Sequence, residues 1–330
     1  MKTIRWGMIG CGAVTEVKSG PGLYKSDHST LVAVTSADIN MSRSYAERHG
    51  VAKVYATPEE LVLDPEIDAV YIATPPVVHK SLSLLAARAG KHVYVEKPMA
   101  MRFAECQEII DECQRHNVRL YVAFYRRALE RFLQVKRWLD DAAIGEVRCV
   151  KAVQHQPPAQ EDLSRATLPW RLLPQVAGAG KFLDMGVHTL DIFDFWFGAI
   201  EEVHGIASNQ AGLYDVEDTV TATWRHASGV QGFGSWCYVC GDDQDHVEII
   251  GSMGRIEMEF FSDKPLRLIT ADGVHESNIP NPQHVQQPFI QSIVNDLNGV
   301  AVCPGNVESA ARASWVADEV LKNFRQQHGF

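Results

Sequence analysis

The chain has 330 residues, 46% hydrophobic and 22% charged, with a formal net charge of −10. That length suffices for two domains with separate cores, and the composition is that of a globular protein. The acidic balance argues against a nucleic-acid or anionic-membrane surface, because phosphate binding needs clustered Lys and Arg, and no apolar run approaches the roughly 18 residues that span a bilayer. Met1-Lys2-Thr3-Ile4-Arg5 leads straight into a strand-like run without the apolar stretch of a secretory leader, so the expected location is cytoplasmic. Seven cysteines at irregular spacing, with Cys237-Tyr-Val-Cys240 the only C-x-x-C, fit reduced structural thiols; no second pair offers a zinc site, and no metal is expected.

The first strand, ending Trp6-Gly-Met-Ile-Gly10-Cys-Gly12-Ala13, closes in two glycines one residue apart. Gly10 permits a tight turn, and Gly12 lets a pyrophosphate lie against bare backbone, with Ala13 and Val14 opening the next helix. The third glycine of the usual dinucleotide fingerprint is Thr15 here, and a plain tight turn is the competing reading. Gly20-Pro21-Gly22 should cut this helix short and leave a loop.

Strand and helix patterns then alternate. Leu31–Thr35 reads as a strand and Ser42–His49 as a helix stopped by Gly50. Thr57-Pro-Glu-Glu60 is a helix start with a capping box. Asp68–Thr74 is a strand ended by Pro75-Pro76, and His79–Ala89 a helix. His92–Glu96, helix 103–116 and strand 119–124 complete the series. This order implies a doubly wound parallel (Rossmann) sheet over 1–124, with ligands beyond the carboxyl ends of its strands.

From 125 to 330 the pattern becomes an α+β domain on a large, mainly antiparallel, open-faced sheet. Strands are expected at 146–154, 218–225, 229–238, 246–250, 255–260 and 266–270. Helices are expected at 129–139, about 187–197 and 308–324, the last placed as able to pack back on the first domain. The Pro-rich stretch 156–174 reads as a loop over the site.

Two clusters carry candidate chemistry. Glu96-Lys97-Pro98 closes the fourth strand, where Lys97 is either a proton-transfer group or a solvated surface lysine. Asp184-Met-Gly-Val-His188 opens a helix with both polar residues on one side; the bland reading is a capping Asp and a packed His. Gly178-Ala-Gly180 upstream and Asp191 downstream weigh toward a site.

Taken together, Gly10-Cys-Gly12-Ala13, Ala73-Thr74-Pro75-Pro76 with His79, Glu96-Lys97-Pro98 and Asp184-x-x-x-His188-Thr-Leu-Asp191 make the chain resemble the glucose–fructose oxidoreductase/inositol dehydrogenase (Gfo/Idh/MocA) family over nearly its whole length. The resemblance implies an NAD(P)-dependent oxidoreductase moving a hydride to or from a sugar, polyol or cyclic diol. It implies Lys97 as catalytic lysine, His188 as acid/base or orienter and Asp184 as a binding residue. Thr74, Pro75 and His79 would line the cofactor, and Glu96 would lie near its ribose. It also implies homodimers or homotetramers formed through the C-terminal sheet. Lys181 departs from the family by following the glycine turn where an apolar residue is usual. The alternatives are a non-catalytic dinucleotide sensor on the same scaffold and a cofactor-free sugar-binding module.

The second strand ends Val34-Thr-Ser36-Ala-Asp38. Ser36 stands where an NAD enzyme usually has an acid for the ribose 2′-hydroxyl, and Arg43 follows as a charge partner for a 2′-phosphate, which favours NADP. Asp38 argues for NAD if it bends back. Substrate candidates are Tyr125 and Arg126 at the domain junction and Trp170 and Arg171 before the glycines, with Tyr238 and His155 weaker; a surface patch or interdomain salt bridge is the bland reading.

Overall fold

A computed structural model describes residues 1–330. The chain packs as two compact units: Met1–Leu129 with Pro282–Ala311, and Glu130–Asn281 with Arg312–Phe330. The first unit thus runs five residues past the expected end at 124 and takes back a segment that the sequence had assigned wholly to the second half. Most of the last helix, Val307–His328, belongs to the second unit rather than the first. No helix is long and apolar enough to cross a membrane.

Unit one holds a six-stranded parallel sheet: β1 Ile4–Ile9, β2 Ser29–Thr35, β3 Lys53–Val54, β4 Ala69–Ile72, β5 His92–Val95 and β6 Leu120–Val122, in the order β3-β2-β1-β4-β5-β6. The local signals act as the residue types dictate. Thr57 and Glu60 form the reciprocal capping box. Gly50 ends helix Ile39–His49 in the left-handed conformation at φ 68°. The register aligns Met8, Tyr71, Tyr94 and Tyr121 across neighbouring strands. These three buried tyrosines stay inside because each hydroxyl finds a partner: Glu96, Gln286 and Asp296 respectively.

The returning segment supplies helix Gln287–Leu297, whose Phe289, Ile290, Ile293 and Val294 join the core beside Trp6 and Tyr45. Where a loop was expected after Gly20-Pro21-Gly22, a short helix, Gly22–Lys25, packs against it so closely that a Cβ on Gly22 would meet the Ile290 side chain at 2.7 Å.

Unit two holds an eight-stranded sheet: β7 Val147–His155, β8 Ile200–Ser208, β9 Thr219–His226, β10 Gln231–Cys237, β11 Gln244–Gly251, β12 Gly254–Met258, β13 Leu266–Thr270 and β14 Gly273–Ser277. The order is β14-β13-β12-β11-β7-β10-β9-β8, antiparallel except between β7 and β10. Helix Val187–Phe197 covers one face, with Phe193 stacked on Trp224 at 5.7 Å. The other face is open and carries Thr221, Thr223 and the exposed Phe233 and Ile206.

Candidate active site

The first part of the site is the carboxyl edge of the parallel sheet. β1, β4 and β5 are neighbours, so the turns after them lie side by side over about 10 Å. Gly10 takes φ 103°, and a Cβ there would meet the Ala73 carbonyl oxygen at 2.4 Å; the fold itself demands this glycine. Gly12 differs. A Cβ on it would meet nothing within 4 Å, so protein packing does not explain its identity, whereas a ligand lying on the backbone would. Ala13 and Val14 follow at the start of a five-residue helix. Thr15 fits without the missing glycine: it is buried, and its hydroxyl donates to the Gly12 carbonyl at 2.7 Å.

On the next strand, the Thr74 hydroxyl oxygen is buried with no hydrogen-bond partner, beside Pro75. A hydroxyl without a protein partner, on the same edge as the open cradle at Gly12, fits a bound dinucleotide. His79 sits directly behind that edge. Its ring is fully buried, with Nδ1 2.9 Å from the Pro98 carbonyl and Nε2 2.8 Å from the Thr74 carbonyl. Burial holds the imidazole below its usual range, against the opposing pull of the two carbonyls at its ring nitrogens. The residue thereby ties the turn after β4 to the turn after β5.

That second turn carries Glu96 and Lys97. Glu96 is buried, and its Oε1 accepts from the Tyr71 hydroxyl at 2.6 Å and from the Gln286 amide at 2.7 Å. Lys97 is half-buried, its main-chain N–H lies 3.3 Å from Glu96 Oε2, and the peptide to Pro98 is cis. At the end of β2, the Ser36 hydroxyl lies 2.7 Å from both the Asp38 carbonyl and the Ser42 hydroxyl. The Asp38 carboxylate caps the following helix through Asn40 N–H, and Arg43 stands exposed. Tyr125 and Arg126 form a local pair: Arg126 Nη1 donates to the Tyr125 hydroxyl at 2.8 Å, and the guanidinium folds over that ring.

In unit two, Asp184 is not a helix cap. It sits inside a π-type turn, Phe182–Gly186, that runs into the helix carrying His188. Turns of this kind cluster at functional sites. Gly186 permits it, since a Cβ there would strike the Phe182 ring at 2.5 Å. The turn brings together candidates far apart in sequence: Arg171 Nε lies 3.2 Å from Asp184 Oδ2, and its guanidinium stacks over Trp170 at 4.5 Å. His188 is buried, with the Phe261 ring edge-on at 6.5 Å. Lys181 is also accounted for. It pairs with the buried Asp162 carboxylate and sits 5.9 Å above the Tyr238 ring, tying the 156–174 stretch to the glycine turn. Tyr238 donates to Gln154 at 3.3 Å. His155, one residue further along β7, faces the other side of the sheet and meets Ser235.

Gly180 approaches Glu217 so closely that a Cβ would meet its carbonyl oxygen at 2.4 Å, and its N–H donates to both carboxylate oxygens at 2.9 Å. Burial pushes the Glu217 carboxyl up from 4.5 to about 7. Between those values the folded chain holds a proton that the unfolded chain releases. The resulting stabilisation is complete at acid pH and is lost as pH rises through the folded value, by about 3 kcal/mol. Glu217→Gln is therefore expected to raise the melting temperature at about pH 8 but not at about pH 5. Thermal melts at the two pH values check this; equal shifts at both would contradict it.

A parallel sheet with an open glycine turn, joined to a mixed sheet bearing an Asp-x-x-x-His turn, defines a dinucleotide-dependent oxidoreductase scaffold. Residues 4–124 match the oxidoreductase family model with an NAD-binding Rossmann fold, and residues 132–257 match the GFO/IDH/MocA C-terminal domain. The chain belongs to the Gfo/Idh/MocA family of NAD(P)-dependent oxidoreductases. It is 36% identical to an oxidoreductase of Formosa agariphila over 96% of this chain and 97% of that one. It is 30% identical to a myo-inositol 2-dehydrogenase of Thermotoga maritima over 77% and 74% of the two chains. Among solved structures, an aldose-aldose oxidoreductase from Caulobacter crescentus superposes with a TM-score of 0.87 at 21% identity, covering 99% of this chain and 98% of that one. A levoglucosan dehydrogenase in complex with NADH and L-sorbose superposes at 0.85 and 21% identity, covering 98% and 97%.

Proposed function

We propose that the protein transfers a hydride between a nicotinamide dinucleotide and a CH–OH or C=O carbon of a sugar, polyol or cyclic diol. The observation that carries this is the carboxyl edge of the parallel sheet, where the open Gly12 turn, the orphaned Thr74 hydroxyl and Lys97 end three adjacent strands. Gly10, Gly12, Ala13, Val14, Thr74, Pro75 and Glu96 would hold the dinucleotide. When bound, the nicotinamide ring supplies the hydride acceptor or donor. Lys97 holds the reacting oxygen and takes or returns its proton, with His188 as acid/base or orienter. Asp184, Trp170 and Arg171 orient the hydroxylated substrate, and Tyr125 and Arg126 are further substrate candidates. The related proteins named above include a myo-inositol 2-dehydrogenase and a levoglucosan dehydrogenase bound to L-sorbose, which supports a sugar-like ligand.

We further propose NADP(H) over NAD(H). No acid stands at position 36, the Asp38 carboxylate is already a helix cap, and Arg43 is exposed one turn away. The open face with Phe233 and Ile206 is proposed to pair copies of the chain into a homodimer or homotetramer.

The test is a dinucleotide titration followed by a panel of sugars, inositols and cyclic diols, read by the near-ultraviolet absorbance of the reduced cofactor. Wild type is expected to bind NADP(H) more tightly and to turn over at least one panel member. Ser36→Asp is expected to shift the preference toward NAD(H) by about tenfold. Dinucleotide uptake with no absorbance change across the panel would favour the sensor reading, and no uptake at all a cofactor-free binding module.

A further inference from the structure

Gln286 lies in the segment that returns to unit one, and no motif announces it. It is 1% exposed, and both ends of its side-chain amide are committed. Its Oε1 accepts from the Tyr94 hydroxyl at 2.6 Å and its Nε2 donates to Glu96 Oε1 at 2.7 Å. Tyr71, stacked on Tyr94 at 4.8 Å, donates to the same Glu96 oxygen at 2.6 Å. The carboxylate can only accept, so Nε2 must face Glu96; that leaves Oε1 toward the Tyr94 hydroxyl, which donates to it, and the amide has a single orientation. With Oε1 holding two donors, Oε2 is the oxygen left for the Lys97 main chain and for a ligand.

The same segment grips the other wall of the site. The Gln286 main-chain N–H donates to the Lys18 carbonyl at 3.0 Å, and His284 Nδ1 lies 2.7 Å from the Val17 carbonyl. Both carbonyls belong to the chain that follows the Gly10–Gly12 turn. One residue thus spans the glycine wall and the Glu96–Lys97 wall.

We infer that Gln286 is a positioning residue for dinucleotide binding, acting through the Glu96 carboxylate. This rests on the reading of the strand edge as the cofactor site. Buried amide–carboxylate contacts of this kind fix a working group to within a fraction of an ångström, and misplacement is costly in proportion.

The experiment measures dissociation constants for NADPH and NADH by fluorescence, with thermal melts in parallel, on wild type, Gln286→Leu, Gln286→Glu and Tyr94→Phe. Gln286→Leu is expected to weaken dinucleotide binding by about tenfold or more. Tyr94→Phe, which keeps the core filled and frees only the amide, is expected to weaken it in the same direction by less. Gln286→Glu sets two carboxyls face to face, and only a shared proton restores the missing donor. Its affinity is expected to fall by about tenfold or more between about pH 6 and about pH 8, while wild type stays level. A merely structural residue would move melting temperatures without creating that pH dependence. If wild type binds dinucleotide and the variants match it at every pH, the inference falls and the cofactor reading stands. If wild type takes up neither dinucleotide, both fall.

Discussion

A Gly12→Val protein is expected to fold with nearly the wild-type melting temperature and to lose dinucleotide affinity by about 100-fold or more. Gly10→Ala is expected to do the reverse damage. Gly12 has extended backbone, φ −90° and ψ −178°, that any residue adopts, and its missing Cβ points into open space. The added methyl groups would occupy the surface on which the proposed pyrophosphate lies. Gly10 holds φ 103°, where a side chain is strained, and its Cβ would press on the carbonyl oxygen and carbon of Ala73, at 2.4 and 2.8 Å. Neither atom can swing away, because the Ala73 N–H is bonded to the Ile9 carbonyl at 2.8 Å. Strain plus forced strand separation should cost about 3 kcal/mol or more. Thermal melts and dinucleotide titrations on the two variants check the contrast. A Gly12→Val protein that binds as wild type does would mean that no ligand lies against that backbone.

This contrast also marks how far the residues can be read unaided. Both glycines were legible as a turn with separate tasks, but the packing behind Gly10 was not, since the Ala73 carbonyl that excludes a Cβ there comes from the residue after β4. The parallel strands were legible as continuous apolar runs because both faces are covered, the helices as one-faced stripes, and the Thr57–Glu60 box and Gly50 worked as local chemistry. β8 and β14 escaped notice because they are the two edge strands of their sheet and are largely exposed, which removes the apolar alternation. The parallel β7–β10 pair follows from connectivity, to which short turns give no clue. Helix Gln287–Leu297 hid behind the prolines before it.

The candidate site divides in the same way. Asp184 and Arg171 were each visible, but their ion pair depends on a π-type turn that the sequence does not announce. His79 was visible as a motif residue, but its place between the Thr74 and Pro98 carbonyls was not. Gln286 had no local signal, because its partner Glu96 is 190 positions away.

Lys97→Ala is expected to lower turnover by about 100- to 10,000-fold while leaving dinucleotide affinity within a few-fold of wild type. The turn that carries the lysine is held by atoms the substitution does not touch. Its main-chain N–H faces Glu96, the Pro98 carbonyl is held by His79, and Pro98, Met99 and Ala100 are buried. Removing the side chain beyond Cβ therefore removes the ammonium with its contacts and leaves this main-chain framework in place. Lys97→Arg restores the positive charge, but a guanidinium does not give up its proton near neutral pH, so turnover should remain low. That pairing separates proton transfer from charge alone: recovery in the arginine variant would make Lys97 an electrostatic anchor. Wild-type turnover in Lys97→Ala would remove the residue from the chemistry and move the search for the proton-handling group to His188.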